Sequence, residues 1–253
     1  MSSLLGPAAA QGLTPSMPGA TAQRRLLALP AGGELALHLV AFDAARFRPS
    51  LFDEAGIARP ASVARSVARR QAEFFFGRLA ARAALIEQRQ GMGDVGKGPA
   101  GEPLWPPGLV GSISHVDGLA CAVAGPQHRH RGLGVDLERT ATGESQAALR
   151  QQALDAQELA RLVALAGPLS LDELVTLVFS AKESLYKGAY PVVGRFFDFS
   201  AARVLSIDPA HCRIVLRLAE DLHPDGFARG RDCELGYTRI DTDRFLTFFE
   251  ARP

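Results

Sequence analysis

The sequence predicts an α+β fold of two similar halves, each a long helix followed by meandering strands. Three observations carry this. Between Ala61 and Gln90, Val67, Phe74, Phe75, Leu79, Leu85 and Ile86 gather on about a third of a helical wheel. Further along, Leu171, Leu174, Val178, Ala181 and Leu185 recur at spacings of three and four. After each of these patterns come short alternating runs bounded by Gly and Pro, as antiparallel strands require.

Composition bounds the rest. With 253 residues, 47% apolar and 22% charged, the chain suits one or two soluble domains with a sizeable core. A net charge of +1 gives no global pull toward nucleic acid or membrane, so any anion binding is local. No apolar run approaches the roughly 20 residues of a membrane span. Cys121, Cys212 and Cys233 are odd in number and lack C-x-x-C spacing. A reduced, cytoplasmic setting fits them better than a disulfide framework or a zinc site.

Taken in order, residues 1–23 are rich in Ala, Gly, Pro, Ser and Gln without a basic start and apolar core, and are expected as a disordered tail. Glu34 to Phe42 alternates as a first strand, and residues 43–61 form a loop with at most a short helix. One continuous helix is expected over Ala61 to Gln90, with Gly77 allowing close approach of a neighbour. Gly91 to Pro107 is loop. Leu109 to Ser114 and Leu119 to Ala124 form a hairpin around His115 to Gly118. Leu133 to Leu137 reads as a third strand of that sheet. Residues 139–150 read as a polar connector, then Gln151 to Ala166 as an amphipathic helix. Ser170 with Glu173 three residues on is a capping box opening the second long helix. Arg203 to Asp208, Cys212 to Leu218, Cys233 to Thr238 and Arg244 to Glu250 close the chain as strands.

Chemistry concentrates in two stretches. Of the 28 basic residues only three are lysines, Lys97, Lys182 and Lys187, and two of them lie in FSAKESLYK, Phe179 to Lys187. A chain that writes arginine for generic charge keeps lysine where a compact ammonium is wanted. On the helix through that stretch, apolar residues cover more than half the wheel, leaving the polar strip Thr176, Ser180, Glu183 and Lys187. The strip reads either as a plain i,i+4 surface pair or as a cleft wall, with Lys182 at its edge. In GVDLE, Gly134 to Glu138, Asp136 and Glu138 share one strand face. Carboxylates are depleted in strands, and two this close are tolerated when a cation sits between them. With Glu183 they make three hard oxygen donors of the kind Mg²⁺ takes. Lys182, Lys187, His115, Arg78 and Arg82 are candidate phosphate donors. Arg78 and Arg82, one turn apart on the apolar arc, either snorkel and pair with acids such as Glu73 or Glu87, or await a phosphate. His115 is either a solvated turn residue or a ligand contact. Metal, cations and the lack of a nucleophilic triad or Walker loop point to phosphoryl-type transfer to an outside hydroxyl.

GVDLE followed about forty residues later by FSAKESLYK resembles the paired signature of Sfp-type 4′-phosphopantetheinyl transferases. RRQAEFFFGRLAARAAL at Arg69 to Leu85, PLWPPGLVGSISH at Pro103 to His115 and KGAYP at Lys187 to Pro191 resemble the enterobactin synthase component D subgroup. The likeness runs from Ala61 to Phe199. It implies a monomeric, cytoplasmic, pseudo-twofold α+β enzyme, each half a long helix on a small mostly antiparallel sheet. The N-terminal half would span 24–133 and the C-terminal half, carrying the metal motifs, 134–253. It further implies coenzyme A as co-substrate between the halves and transfer of its phosphopantetheine arm to a serine of an acyl or peptidyl carrier protein. Fatty-acid, siderophore and polyketide acceptors are equally open. Asp136, Glu138 and Glu183 match the family's Mg²⁺ ligands, with Mn²⁺ the other ion to consider. Glu183 would also serve as base, Lys187 with Lys182 would offset phosphate charge, and Ser114, His115, Arg78 and Arg82 would contact coenzyme A. Where many relatives have a basic residue before the hairpin proline, this chain has Glu102, so Lys97 or a helix arginine is expected to replace it. The alternative outline is a metal-dependent nuclease or phosphodiesterase, against which the near-neutral charge counts. A binder with a degraded site is the third reading, opposed by the presence of all three carboxylates and both lysines.

Overall fold

The architecture comes from a computed structural model describing residues 7–8, 19–91, 93–165 and 167–253. The chain forms two compact units, Leu4–Leu27 with Glu34–His130, and Arg131–Pro253 with the turn Ala28–Gly33. No described helix is long and apolar enough to cross a membrane.

The first unit contains β1 (Pro7–Ala8), β2 (Ala20–Ala28), β3 (Glu34–Phe42), α1 (Leu51–Ala55), α2 (Ala61–Ala64), α3 (Ala68–Glu87), β4 (Gly96–Lys97), β5 (Pro103–Leu104), β6 (Leu109–Val116) and β7 (Leu119–Pro126). Five of these strands make a sheet in the order β1-β2-β3-β7-β6, and β4 pairs with β5. The long helix α3 packs on the sheet because β7 offers it only small residues. Ala120, Ala122 and Ala124 join Phe75, Phe76, Leu79 and Ala80 in one core. Gly77 meets β6 as expected: a Cβ there would stand 3.1 Å from Ile113.

Three local differences have physical causes. The expected tail covers 1–6 and 9–18, which lie outside the described residues, but Ala20–Ala28 is strand. Its run of Gln23, Arg24 and Arg25 hides the alternation. The helix expected to be continuous from Ala61 breaks at Arg65–Val67. There Gln71 Nε2 donates to the carbonyls of Ala64 and Ser66 at 3.3 and 2.9 Å, so a side chain serves groups that a continuing helix would have served. His115 belongs to β6, leaving only Asp117 and Gly118 as the turn.

The second unit contains β8 (Gly132–Arg139), α4 (Gly143–Ala153), α5 (Ala156–Leu165), α6 (Leu171–Val193), β9 (Ala202–Asp208), β10 (Arg213–Leu218), β11 (Asp232–Arg239) and β12 (Arg244–Ala251). The GVDLE strand β8 is not a third strand of the first sheet. It pairs with β12, setting Gly134 opposite Phe249, Asp136 opposite Thr247 and Glu138 opposite Phe245. The sheet order is β8-β12-β11-β10-β9. Such a long-range pairing leaves no mark near β8 in the sequence, whereas a hairpin does. Residues 143–150, expected as connector, belong to helix α4, which ends at Ala153, and the next helix starts only at Ala156, where Asp155 Oδ1 accepts from Glu158 N. Ser170 and Glu173 do form the capping box of α6, and Gly194 ends that helix in the left-handed region. The turn Ala28–Gly33 belongs to this unit, breaking the expected linear division: Arg213 donates to Pro30 O and Arg252 to Gly32 O. Each unit thus repeats one plan, a long helix on a five-stranded antiparallel sheet.

A buried titratable group lies in the first unit. His38 of β3, 2% exposed, is 3.0 Å from Glu87 Oε2 at the end of α3. Arg24 grips the same carboxylate through Nε at 2.8 Å and Nη2 at 2.5 Å, and holds it below the usual range. Burial pulls the imidazole of His38 down against the attraction of Glu87. Its folded pKa therefore lies below the ~6.5 of free imidazole. The unfolded chain binds the extra proton first, so this stability is complete above that pH and lost as pH falls. The urea midpoint is expected to drop between pH 7 and about 5.5, and His38→Gln to flatten the drop. An unchanged slope in the variant would assign the titration elsewhere.

Candidate metal and phosphate site

The site begins with backbone contact. Helix α6 crosses β8 where both carry glycine. A Cβ on Gly134 would lie 1.9 Å from Ser184 O and 2.7 Å from Gly188 N. One on Gly132 would lie 1.9 Å from Gly188 O, and one on Gly188 would meet Phe249 at 2.6 Å. Only hydrogen at these positions lets helix and strand approach this closely.

Buried hydroxyls then fix the crossing. Ser180 Oγ donates to Asp136 O at 3.3 Å and pairs with Thr247 Oγ1 at 2.9 Å. Ser184 Oγ donates to Thr247 O at 3.0 Å and meets Thr247 Oγ1 at 2.7 Å. Thr176, also of the polar strip, is buried and accepts from Ala141 N at 3.0 Å. The upper strip therefore lines no cleft. Its hydroxyls are the means by which the helix is held to β8 and to the chain that follows it.

Below them the charges meet. Lys187 Nζ donates to Asp136 Oδ1 at 2.6 Å and lies 3.4 Å from Val135 O. Asp136 is buried, while Glu138, Glu183 and Lys187 are half-buried. Burial first, and then the Asp136 carboxylate, push the Glu138 carboxyl up to about 8; Lys187 opposes this and Glu183 adds to it. Burial also raises Glu183, with Lys187 opposing and Asp136 assisting. So the three acids do share one field, with a single ammonium against three carboxyls. Among the described residues, however, no three acidic, His or Cys side chains converge as a ready-made metal cage. The donor set fits a hard divalent cation that also draws ligands from elsewhere.

Two sequence assignments are corrected. Lys182 does not reach a phosphate cleft. It is buried, donating to Ala153 O at 2.7 Å and to Glu158, with Oε1 at 2.9 Å and Oε2 at 3.1 Å. Arg82 likewise is no free phosphate donor. It is buried with Nη1 on Ala55 O at 2.5 Å and Nη2 on Gly56 O and Asp94 Oδ1 at 2.8 and 2.5 Å, fastening the end of α1. Glu158 and Asp94, their partners, escaped the sequence reading. Glu158 had left a trace, since Asp155 and Glu158 have capping-box spacing.

Arg78, one turn earlier, differs. Its guanidinium lies 4.4 Å over the Phe74 ring and donates to a single carbonyl, Gly96 O at 2.9 Å, while its buried Nε, like that of Arg82, has no hydrogen-bond partner. Burial pulls its pKa down to about 10, only partly offset by Asp94. A desolvated cation so thinly paired is suited to an anion. Ser114 is buried opposite Cys121 on β6. His115 Nε2 lies 3.0 Å from Arg70 Nη1 and Nδ1 3.7 Å from Glu73 Oε2. An arginine donor makes Nε2 the acceptor, so the ring proton sits on Nδ1. Lys97 is exposed, 3.1 Å from Ser62 Oγ. The Glu102 carboxyl lies over Gly98.

Comparison with known proteins gives two family matches. Residues 58–125 match the 4′-phosphopantetheinyl transferase N-terminal domain, and residues 132–229 the 4′-phosphopantetheinyl transferase superfamily. Enterobactin synthase component D of Salmonella typhimurium is 36% identical over 181 residues, 71% of this chain and 73% of that one. The 4′-phosphopantetheinyl transferase Npt of Nocardia iowensis is 36% identical over 146 residues, 56% and 62% of the two chains. PptT of Mycobacterium tuberculosis is 35% identical over 142 residues, 56% and 61%. The match thus spans under two thirds of the Nocardia and Mycobacterium proteins' own length.

Gly134→Ala is expected to cost at least about 2 kcal/mol, since backbone on both sides must move. Ser184→Ala, which removes only a hydroxyl from the same crossing, is expected to cost about 1 kcal/mol. Urea unfolding of both variants measures the ordering. Equal costs would mean that the glycine contact does not set the crossing.

Proposed function

Since this chain belongs to the 4′-phosphopantetheinyl transferase superfamily, we propose that it transfers the 4′-phosphopantetheine arm of coenzyme A to a serine of an apo acyl or peptidyl carrier protein. The serine Oγ–P bond forms, the pyrophosphate P–O bond breaks, and 3′,5′-ADP leaves. The observation that carries this reading is the shared field of Asp136, Glu138, Glu183 and Lys187 at one helix–strand crossing.

Asp136, Glu138 and Glu183 would hold the divalent cation, Mg²⁺ or Mn²⁺, which when bound neutralises pyrophosphate charge. Glu183, its carboxyl raised by burial, accepts the serine proton in this reading. Lys187 pairs with Asp136 and offers its ammonium to the leaving phosphate. Arg78 binds a coenzyme A phosphate, with Ser114 and His115 as further contacts. The Arg70 and Glu73 partners fix the His115 ring. A monomer in a reducing cytoplasm completes the reading, in keeping with three free cysteines. The nuclease alternative finds no support among the relatives.

Incubation with coenzyme A, Mg²⁺ and an apo carrier protein is expected to add the phosphopantetheine mass. No gain on any of several carrier proteins would sink the proposal. Asp136→Ala and Glu183→Ala should each lower kcat by ~100-fold or more while leaving unfolding cooperative.

The two helix arginines should separate. Arg78→Met is expected to raise the KM for coenzyme A about tenfold, one charged hydrogen bond's worth. Arg82→Met is expected instead to lower the unfolding midpoint, because Asp94 and two carbonyls lose their donor. Reversed phenotypes would show that the phosphate contact had been given to the wrong arginine.

A further inference from the structure

Lys182, the residue before Glu183, pairs in the interior with Glu158. The Glu158 carboxylate makes four contacts with three donors: Lys182 Nζ at both oxygens, Val204 N on Oε1 at 2.8 Å and Asp155 N on Oε2 at 3.2 Å. Lys182 also donates to Ala153 O, at the last residue of α4. One carbonyl and two carboxylate oxygens thus surround an ammonium that has three protons to give. The lysine and glutamate side chains are 2% and 4% exposed. A substrate phosphate could reach this ammonium only by displacing Glu158 from the interior.

The pair ties the end of α4, the start of α5 and the backbone of β9 to α6. On α6, Ser184 and Gly188 face β8 and β12. At about 100° per residue, Lys182 leaves the helix on nearly the opposite side from Ser184, and Glu183 lies between them. Rotation of α6 about its axis would therefore break either the glycine crossing or the ion pair. We infer that Glu158 and Lys182 are positioning residues that fix the direction of Glu183, and that Lys182 does not touch substrate. This rests on the transfer reaction proposed above.

Four proteins test it: the unaltered chain, Lys182→Met, Glu158→Gln and the double variant. Each is followed by thermal unfolding, by kcat, and by KM for coenzyme A. A buried charge without its partner is worse than no charge. Each single variant is therefore expected to lower the unfolding midpoint and to lower kcat about tenfold, with KM for coenzyme A within about twofold. The double variant is expected to recover much of the midpoint and to bring kcat to within about threefold of the original. Three results would overturn the inference. One is a tenfold or greater rise in KM for Lys182→Met with Glu158→Gln silent and no recovery in the double variant. Another is coupling in the unfolding midpoints with kcat untouched. If Lys182→Met does not fold, the third still decides: Glu158→Gln as stable and active as the original. Failure of the unaltered chain to transfer anything would count against the reaction itself, while the unfolding midpoints would still report on the pair.

Discussion

Helix α6 meets strand β8 backbone to backbone, and the charged groups Asp136 and Lys187 take their places from that contact. Gly132, Gly134 and Gly188 remove the side chains that would hold the two elements apart. Ser180, Ser184 and Thr247 satisfy the polar groups that the crossing buries. Asp136, two residues beyond Gly134, then comes within 2.6 Å of Lys187, one residue before Gly188. The charges sit beside the glycines in sequence because they sit beside the crossing in space. In the interior of a helix and a strand, where glycine is unfavourable, it is tolerated here for what it allows its neighbours to do.

Identical residue types meet different fates little more than a turn apart. Lys187 faces a carboxylate at the partly open end of the polar strip, while Lys182 is enclosed with Glu158. Arg78 has one carbonyl and an aromatic face for company, while Arg82 has two carbonyls and a carboxylate. In each pair the residue with more acceptors around its head group, Lys182 or Arg82, is held in place by the fold.

How much of this was readable beforehand follows from how local each signal is. The Ser170–Glu173 capping box, the β6–β7 hairpin and the apolar stripe of α6 depend on residues near one another, and all three formed. So did the same-face placement of Asp136 and Glu138, which strand periodicity dictates. What could not be read were the partners: β12 for β8, Glu158 for Lys182 and Asp94 for Arg82. The first spans most of the second unit, and the others depend on which way a long flexible side chain turns. The first two turns of helix α4 leave no apolar stripe to read, because GESQAALRQQA buries only Gln146 and Ala153.

The Glu158 carboxylate also has a place at the rim of a sheet. Strand β9 is outermost in its sheet, paired on one side with β10 alone. An outer strand presents free N–H and C=O groups that another chain can adopt as a template. Val204 N, near the middle of that rim, is already taken by Glu158. The glutamate that pairs with Lys182 therefore also occupies one of the N–H groups that this rim would otherwise offer to another strand.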